Sequence, residues 1–184
     1  MIKLVGISGS LRSQSYSFTA LSLALARAEA LGADVEMLDL RALNLPFCNG
    51  EDDYGDYPDV AKLRQAVKQA DGLILATPEY HGGVSGVLKN ALDLLSFEHL
   101  SGKVTGAISV LGGQANSNAL NQLRLITRWV HAIMVPEHIA IGQAWQAFDS
   151  DGNLQDAKLA ERLDQFVSSI ITMTEKLSPN PGDA

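Results

Sequence analysis

The sequence predicts an α/β protein: a five-stranded parallel sheet in the order 2-1-3-4-5, with helices on both faces. Short apolar runs alternate with longer stretches whose apolar residues recur at helical spacing, five of each along 184 residues. Strands that alternate with helices form a parallel sheet covered on both sides, and right-handed crossovers leave few topologies. The commonest five-stranded order places a ligand crevice at the carboxyl ends of strands one and three. The unusual loops of this chain follow the first, third and fourth strands, which agrees with that placement.

The elements follow in order. Residues 2–8 (IKLVGIS) read as a strand that ends in glycine and serine. Residues 16–31 read as a helix, because Ala20, Leu21, Leu23, Ala24 and Leu25 form one broad apolar face. Gly32 stands where a helix C-terminus favours glycine. Residues 35–40 are the second strand, followed by a loop over 41–58 with Pro46, Gly50, Gly55 and four acids. A helix over 60–70, a third strand over 72–77 (GLILAT) and a helix over 84–97 come next. Residues 103–110 (KVTGAISV) make the fourth strand and 118–132 a helix carrying Leu120, Leu123, Ile126 and Val130. The fifth strand, 133–135 and 139–141, is interrupted at Pro136, which predicts a bend or an edge position. A last helix spans 154–177, and 178–184, with two prolines and a glycine, reads as a frayed tail. Residues 1–177 therefore read as one domain, with no repeat and no internal linker.

Composition narrows the function. Fourteen basic and 21 acidic side chains leave a formal net charge of −7, with 46% apolar and 19% charged residues. That balance excludes a disordered chain, and no run of the ~20 apolar residues needed for a membrane span occurs. Net −7 also argues against nucleic acid, which calls for a basic face. It leaves room for one bound phosphate, for which a local cluster of donors suffices. The opening residues lack the apolar core and cleavage site of a secretory leader, and the single Cys48 forms no internal disulfide, so a cytoplasmic location is expected.

The first unusual loop reads Gly9-Ser10-Leu11-Arg12-Ser13-Gln14-Ser15-Tyr16-Ser17 and leads into a helix. Four hydroxyls, one planar cation and the free N–H groups of a helix start are the parts of an anion site. A serine-rich helix cap alone would explain the serines, but not Arg12, a cation at the positive end of a helix. The spacing matches neither G-x-x-x-x-G-K-[ST] nor G-x-G-x-x-G, so a monophosphate fits better than a pyrophosphate or triphosphate. The second loop reads Thr77-Pro78-Glu79-Tyr80-His81-Gly82-Gly83-Val84-Ser85-Gly86, before Val87-Leu88-Lys89-Asn90-Ala91-Leu92-Asp93. Proline and three glycines shape a backbone able to lie against a planar ligand, and Tyr80 supplies an aromatic wall. A tight turn before a helix is the plainer alternative. The third, Ser109-Val110-Leu111-Gly112-Gly113-Gln114-Ala115-Asn116-Ser117-Asn118, permits close approach and offers amide donors and acceptors.

Together, GSLRSQSYS after the first strand and TPEYHGGVSGVLKNALD after the third resemble the NADPH-dependent FMN reductase family. That family belongs to the flavodoxin-like three-layer sandwiches and includes chromate, azo and quinone reductases. The resemblance extends to the segment Trp145…Phe148-Asp149-Ser150-Asp151-Gly152 before the last helix. It implies that Ser10, Leu11, Arg12, Ser15, Tyr16 and Ser17 hold the phosphate of FMN. It implies further that Pro78, Glu79, Tyr80, His81 and Gly82 line the isoalloxazine, while Ser109, Gly112 and Gly113 approach its other edge. Two residues depart from the family: His81 and Ser17 each stand where asparagine is usual. The third loop also lacks a second pair of glycines.

The implied activity is an oxidoreductase passing electrons from NADPH or NADH through FMN to a small acceptor: a quinone, azo compound, chromate or free flavin. The flavin carries the chemistry, so no catalytic side chain is required; His81 is the one candidate proton donor. A non-catalytic flavodoxin-type electron carrier and a flavin-binding interaction protein are the alternatives, separable by turnover of NADPH with a soluble quinone. A receiver domain on the same topology would need an aspartate where Thr77-Pro78 stands. Cys48 reads as incidental, and His99, His131 and His138 lack the spacing of metal ligands. Glu51, Asp52, Asp53, Asp56 and Asp59 read as a solvated loop. The resemblance, with an apolar face from residues 88–97 and Trp129, implies a homodimer or homotetramer.

Overall fold

A computed structural model of the protein describes residues 1–177; the tail expected over 178–184 lies outside the described residues. Its strands are β1 (Lys3–Ser8), β2 (Asp34–Asp39), β3 (Gly72–Tyr80), β4 (Gly83–Val84), β5 (Val104–Val110), β6 (Ile133–Met134) and β7 (Ile139–Ile141). Its helices are α1 (Tyr16–Ala30), α2 (Pro58–Gln69), α3 (Gly86–Asp93), α4 (Phe97–Leu100), α5 (Asn118–Trp129), α6 (Ala144–Ala147) and α7 (Ala157–Leu177). The sheet runs β2-β1-β3-β5-β6, with β4 beside β3 and β7 also paired to β5. All pairs are parallel except the β3–β4 hairpin. Strands β6 and β7 pair with opposite ends of β5 and share the edge place expected for the fifth strand. Pro136, which has no N–H to give a ladder, falls in the gap between them.

Alternation along the strands builds two cores. Leu4, Ile74 and Ile108 point to the face covered by α1 and α7, against Leu21, Leu25, Phe166 and Ile170. Val5, Ile7, Leu73 and Leu75 point to the other face, against Leu63 of α2, Leu88 of α3 and Leu120 and Leu123 of α5. Helix α1 is capped by Ser15, whose Oγ accepts from Phe18 N at 3.1 Å. It ends as the sequence predicts: Gly32 has φ 91° and Ala33 N donates to Ala28 O at 3.0 Å.

Three boundaries differ from the sequence reading. Strand β3 runs past Thr77 to Tyr80, because Pro78 still pairs with Val110 of β5 and the chain then folds back as β4. Pattern reading stops at the proline, a residue that normally ends a strand. The helix expected over 84–97 forms only over Gly86–Asp93, closed by Leu94, and a separate short helix, α4, begins at Phe97 behind Ser96 in extended conformation. The break buries Leu92, Leu94 and Leu95 together, which one straight helix face does not do. The helix expected from 154 starts at Ala157, since Leu154 bridges to Phe148 instead.

The β3–β4 turn places His81 at φ 52° and Gly82 at φ 76°, between the paired Tyr80 and Gly83. Two central residues with positive φ are the mark of a type I′ hairpin, whose first position favours asparagine. This gives a physical reason for the asparagine that the resemblance leads one to expect at position 81. In urea unfolding, His81→Asn is expected to raise the unfolding free energy by about 0.5 kcal/mol and His81→Val to lower it by about 1–2 kcal/mol.

His99 has a structural assignment: it is buried, and its Nδ1 accepts from Ser96 N at 3.0 Å at the start of α4. Burial pushes its pKa down, against the pull of Glu98. The unfolded chain takes up a proton below about pH 6.5, whereas folded His99 stays neutral to lower pH. Its contribution is therefore complete above that value and is lost as pH falls through the folded pKa. Urea midpoints from pH 8 to 5 should decline less steeply for His99→Gln than for the parent protein.

Candidate active site

The carboxyl ends of β1, β3, β5 and β7 open on one cavity of about 300 Å³. The loop after β1 forms one wall with Ser10, Arg12, Gln14, Ser15, Tyr16 and Ser17. Its root is fixed at Gly9, whose N–H donates to Ala76 O at 2.8 Å and whose carbonyl accepts from Ser85 Oγ at 2.6 Å. Ser10, Ser15 and Ser17 are buried. Ser10 Oγ accepts from Arg12 N at 3.4 Å, closing a small turn. Tyr16 and Ser17 open α1, so their N–H groups have no preceding turn to bond.

The side chain of Arg12 is exposed, and its guanidinium makes no hydrogen bond or ion pair with the described residues. Set at the start of α1, it lies at the positive end of the helix dipole without a counter-charge. A guanidinium, first-turn N–H groups and serine hydroxyls on one wall suit a phosphate group.

Pro78, Glu79 and Tyr80, at the end of β3, line a second side. The Glu79 carboxylate accepts from Ala119 N at 3.1 Å, which anchors it to the start of α5. Gln122 of α5 steadies the hairpin, its Oε1 accepting from Val84 N at 2.9 Å. Ser85 caps α3 by accepting from Leu88 N at 3.2 Å. The third side is Val110, Leu111 and Gly112, tied to the segment after β7. Leu111 N donates to Ile141 O at 2.8 Å, Gln143 N to Gly113 O at 2.7 Å and Ala144 N to Leu111 O at 3.0 Å.

Ala144 and Trp145 close the cavity on that side, and Trp145 is 65% exposed. Tyr16 stacks on Phe148 with ring centroids 5.7 Å apart and planes 4° from parallel. The slot beside the anion wall is thus walled by aromatic rings and backbone, as a flat heteroaromatic ring requires.

Of the residues singled out in the sequence, Ser10, Arg12, Ser15, Tyr16, Ser17, Pro78, Glu79, Tyr80 and Gly112 line this cavity. Leu11, His81, Gly82, Ser109 and Gly113 do not. Leu11 turns to solvent, His81 and Gly82 form the hairpin tip, and Ser109 is buried with its Oγ unpaired. Gly113 instead gives its carbonyl to Gln143. Gln14, Ala144 and Trp145 join the wall without having been selected as binding residues. For Trp145 the available signal was its place in the segment before the last helix. Arg41, outside the cavity lining, donates to the carbonyls of Arg12 and Ser13 in the loop after β1.

A doubly wound parallel sheet whose carboxyl ends hold one anion wall beside an aromatic slot defines a flavodoxin-like mononucleotide-binding protein. The family model for NADPH-dependent FMN reductase matches residues 2–146, and the chain belongs to that family. It is accordingly a flavoprotein oxidoreductase that uses FMN and NAD(P)H. It is 36% identical over 184 residues to a NAD(P)H-dependent FMN reductase of Pseudomonas aeruginosa, covering 96% of this chain and 97% of the relative. It is also 36% identical over 138 residues to an NADPH azoreductase of Bacillus sp., covering 74% of this chain and 72% of the relative. Among solved structures it resembles the NAD(P)H:(acceptor) oxidoreductase FerB of Paracoccus denitrificans, with a TM-score of 0.81 and 25% identity. That match covers 96% of this chain and 98% of the other.

Proposed function

We propose that residues 1–177 act as one FMN-binding domain that passes electrons from NADPH or NADH to a small planar acceptor, a quinone or an azo compound before chromate or free flavin. The observation that carries the site assignment is Arg12, a guanidinium without a partner among the described residues on a cavity wall of helix-start donors. When bound, FMN would supply the redox chemistry between the reduced nicotinamide and the acceptor. Arg12, Ser10, Ser15 and Ser17 hold the phosphate. Residues 78–80 and the third loop bind the ring edges with backbone groups, which need no reorganisation when charge develops there. Tyr16, Tyr80 and Trp145 form aromatic walls against which a flat acceptor packs. The azoreductase relative supports an azo acceptor.

The test is the visible spectrum of the purified protein supplied with FMN, followed by anaerobic bleaching with NADPH or NADH and reoxidation by a quinone or an azo dye. Bound flavin that bleaches and recovers with many equivalents of acceptor supports the reading. Flavin bands that do not stay with the protein once unbound FMN is removed by gel filtration would overturn it, and bleaching without acceptor turnover would indicate a carrier.

We propose also that the chain forms a homodimer or homotetramer through α3, α4 and α5. A groove there includes Phe97, Leu125 and Trp129, and Trp129 is 72% exposed. A second copy burying this apolar strip is the simplest cover; sedimentation of Trp129→Asp as a monomer would support it. No described helix is long and apolar enough to cross a membrane. The single, unpaired Cys48 supports a cytoplasmic location.

A further inference from the structure

We infer that Arg41 is the positioning residue of the phosphate-binding loop, setting the direction of its N–H groups from behind. The inference rests on the reading of residues 10–17 as the phosphate site.

Arg41 follows β2, the strand that neighbours β1, and reaches across to the loop leaving β1. Its Nη1 donates to Arg12 O and to Ser13 O, each at 3.2 Å. Its Nε donates to Asp39 Oδ1 at 2.8 Å, and its Nη2 to Asp39 Oδ2 at 2.7 Å. The guanidinium carbon lies 4.4 Å from the centre of the Phe18 ring, in the first turn of α1. Asp39 also accepts from Arg41 N at 3.0 Å. The guanidinium is thus held on three sides: by a carboxylate, an aromatic face and two carbonyls.

The two carbonyls determine what the loop offers a ligand. A trans peptide directs its N–H opposite to its C=O. With Arg12 O and Ser13 O drawn to Arg41, the N–H groups of Ser13 and Gln14 point away from it. Arg12 and Gln14 are the residues of this turn that line the cavity. Arg41 does not line it, and Asp39 offsets its charge. Its effect on a phosphate therefore comes through backbone orientation rather than through direct attraction. Arg12 is the opposite case, a charge on the wall itself with no partner among the described residues. Lysine at position 41 would keep the charge but lose the planar fork that spans a carboxylate and two carbonyls.

The decisive measurement is the preference for FMN over riboflavin, which lacks the phosphate. Both are titrated by fluorescence quenching into apoprotein at low and high potassium chloride, for the parent, Arg12→Ala, Arg41→Ala and Arg41→Lys. Arg41→Ala is expected to lower FMN affinity about ten-fold, leave riboflavin affinity unchanged and keep the parent's salt dependence. Arg41→Lys falls between, and it carries the test if the alanine variant does not fold. Arg12→Ala loses both the preference and the salt dependence. Equal losses for both flavins, or no loss in either Arg41 variant, would overturn the inference while leaving the loop reading intact. Loss of salt dependence in Arg41→Ala would overturn it too, because Arg41 would then act as a charge. An unchanged preference in Arg12→Ala would refute the loop reading itself, and this inference with it.

Discussion

Arg12→Ala weakens FMN binding by roughly 30- to 100-fold, the value of one charge-assisted hydrogen-bonding partner to a phosphate. The effect should be large because Arg12 is the guanidinium that lines the cavity, with no ion pair in the described structure to dilute its interaction. Riboflavin affinity stays at the parent value, since the contacts proposed for the ring lie on β3, β5 and the segment after β7. The thermal midpoint of the apoprotein stays close to the parent's, because no internal bond of the Arg12 side chain is lost. The steady-state signature is a higher FMN requirement with the maximal rate at saturating FMN retained. Titration of apoprotein with the two flavins checks the first outcome, and rates against added FMN check the second. A variant that binds FMN as tightly as the parent would place the phosphate elsewhere.

Gly9→Ala is expected to destabilise the protein by about 3 kcal/mol, at the upper end of overpacking costs. A Cβ at position 9 would stand 2.6 Å from Leu88 Cβ and 2.7 Å from Ser85 Oγ. Leu88 Cβ is rigidly joined to the backbone of α3, so it has no flexible end to swing aside. The Ser85 hydroxyl meanwhile donates to Gly9 O at 2.6 Å and accepts from Leu88 N, so moving α3 away breaks a buried link. For a chain of this length the thermal midpoint should fall by roughly 10 °C. FMN affinity should fall as well, because the same contact roots the loop that carries Arg12. Differential scanning calorimetry of apoprotein and holoprotein separates the two effects. A midpoint within a degree of the parent's would show that α3 relaxes without cost.

The fold was legible in the pattern because strand alternation and helical periodicity are local consequences of which side chains are buried. Leu4 and Val5, adjacent in sequence, lie in the cores on opposite faces of the sheet. Gly32 ended α1 for a reason that depends on one backbone angle. The loop after β1 was legible for a similar reason, since its serines and arginine follow one another. The end of α3 at Asp93, short of the expected 97, was less so, because the apolar pattern continues through Leu94 and Leu95 while Ser96 opens a new helix at Phe97.

Residues that act across the sheet left no local mark. Arg41 comes 29 positions after Arg12 and stands beside it because β2 and β1 are neighbours. Trp145 joins the cavity wall because β7 pairs with the far end of β5 and Gln143 and Ala144 fasten the following turn to the third loop. His81 shows the reverse case. Its place in the motif suggested a ligand contact, whereas a two-residue turn with positive φ turned it to the hairpin tip.

Composition and pattern alone thus determined a doubly wound sheet, a net charge of −7, and a loop after β1 whose serines and arginine suit a single phosphate. Those properties follow from hydrophobic periodicity and residue types within a few positions of one another. Which candidates share one cavity, which carbonyls Arg41 holds and which aromatics wall the slot were decided by strand order and crossover. These bring together segments more than a hundred residues apart, and no local periodicity encodes such a distance.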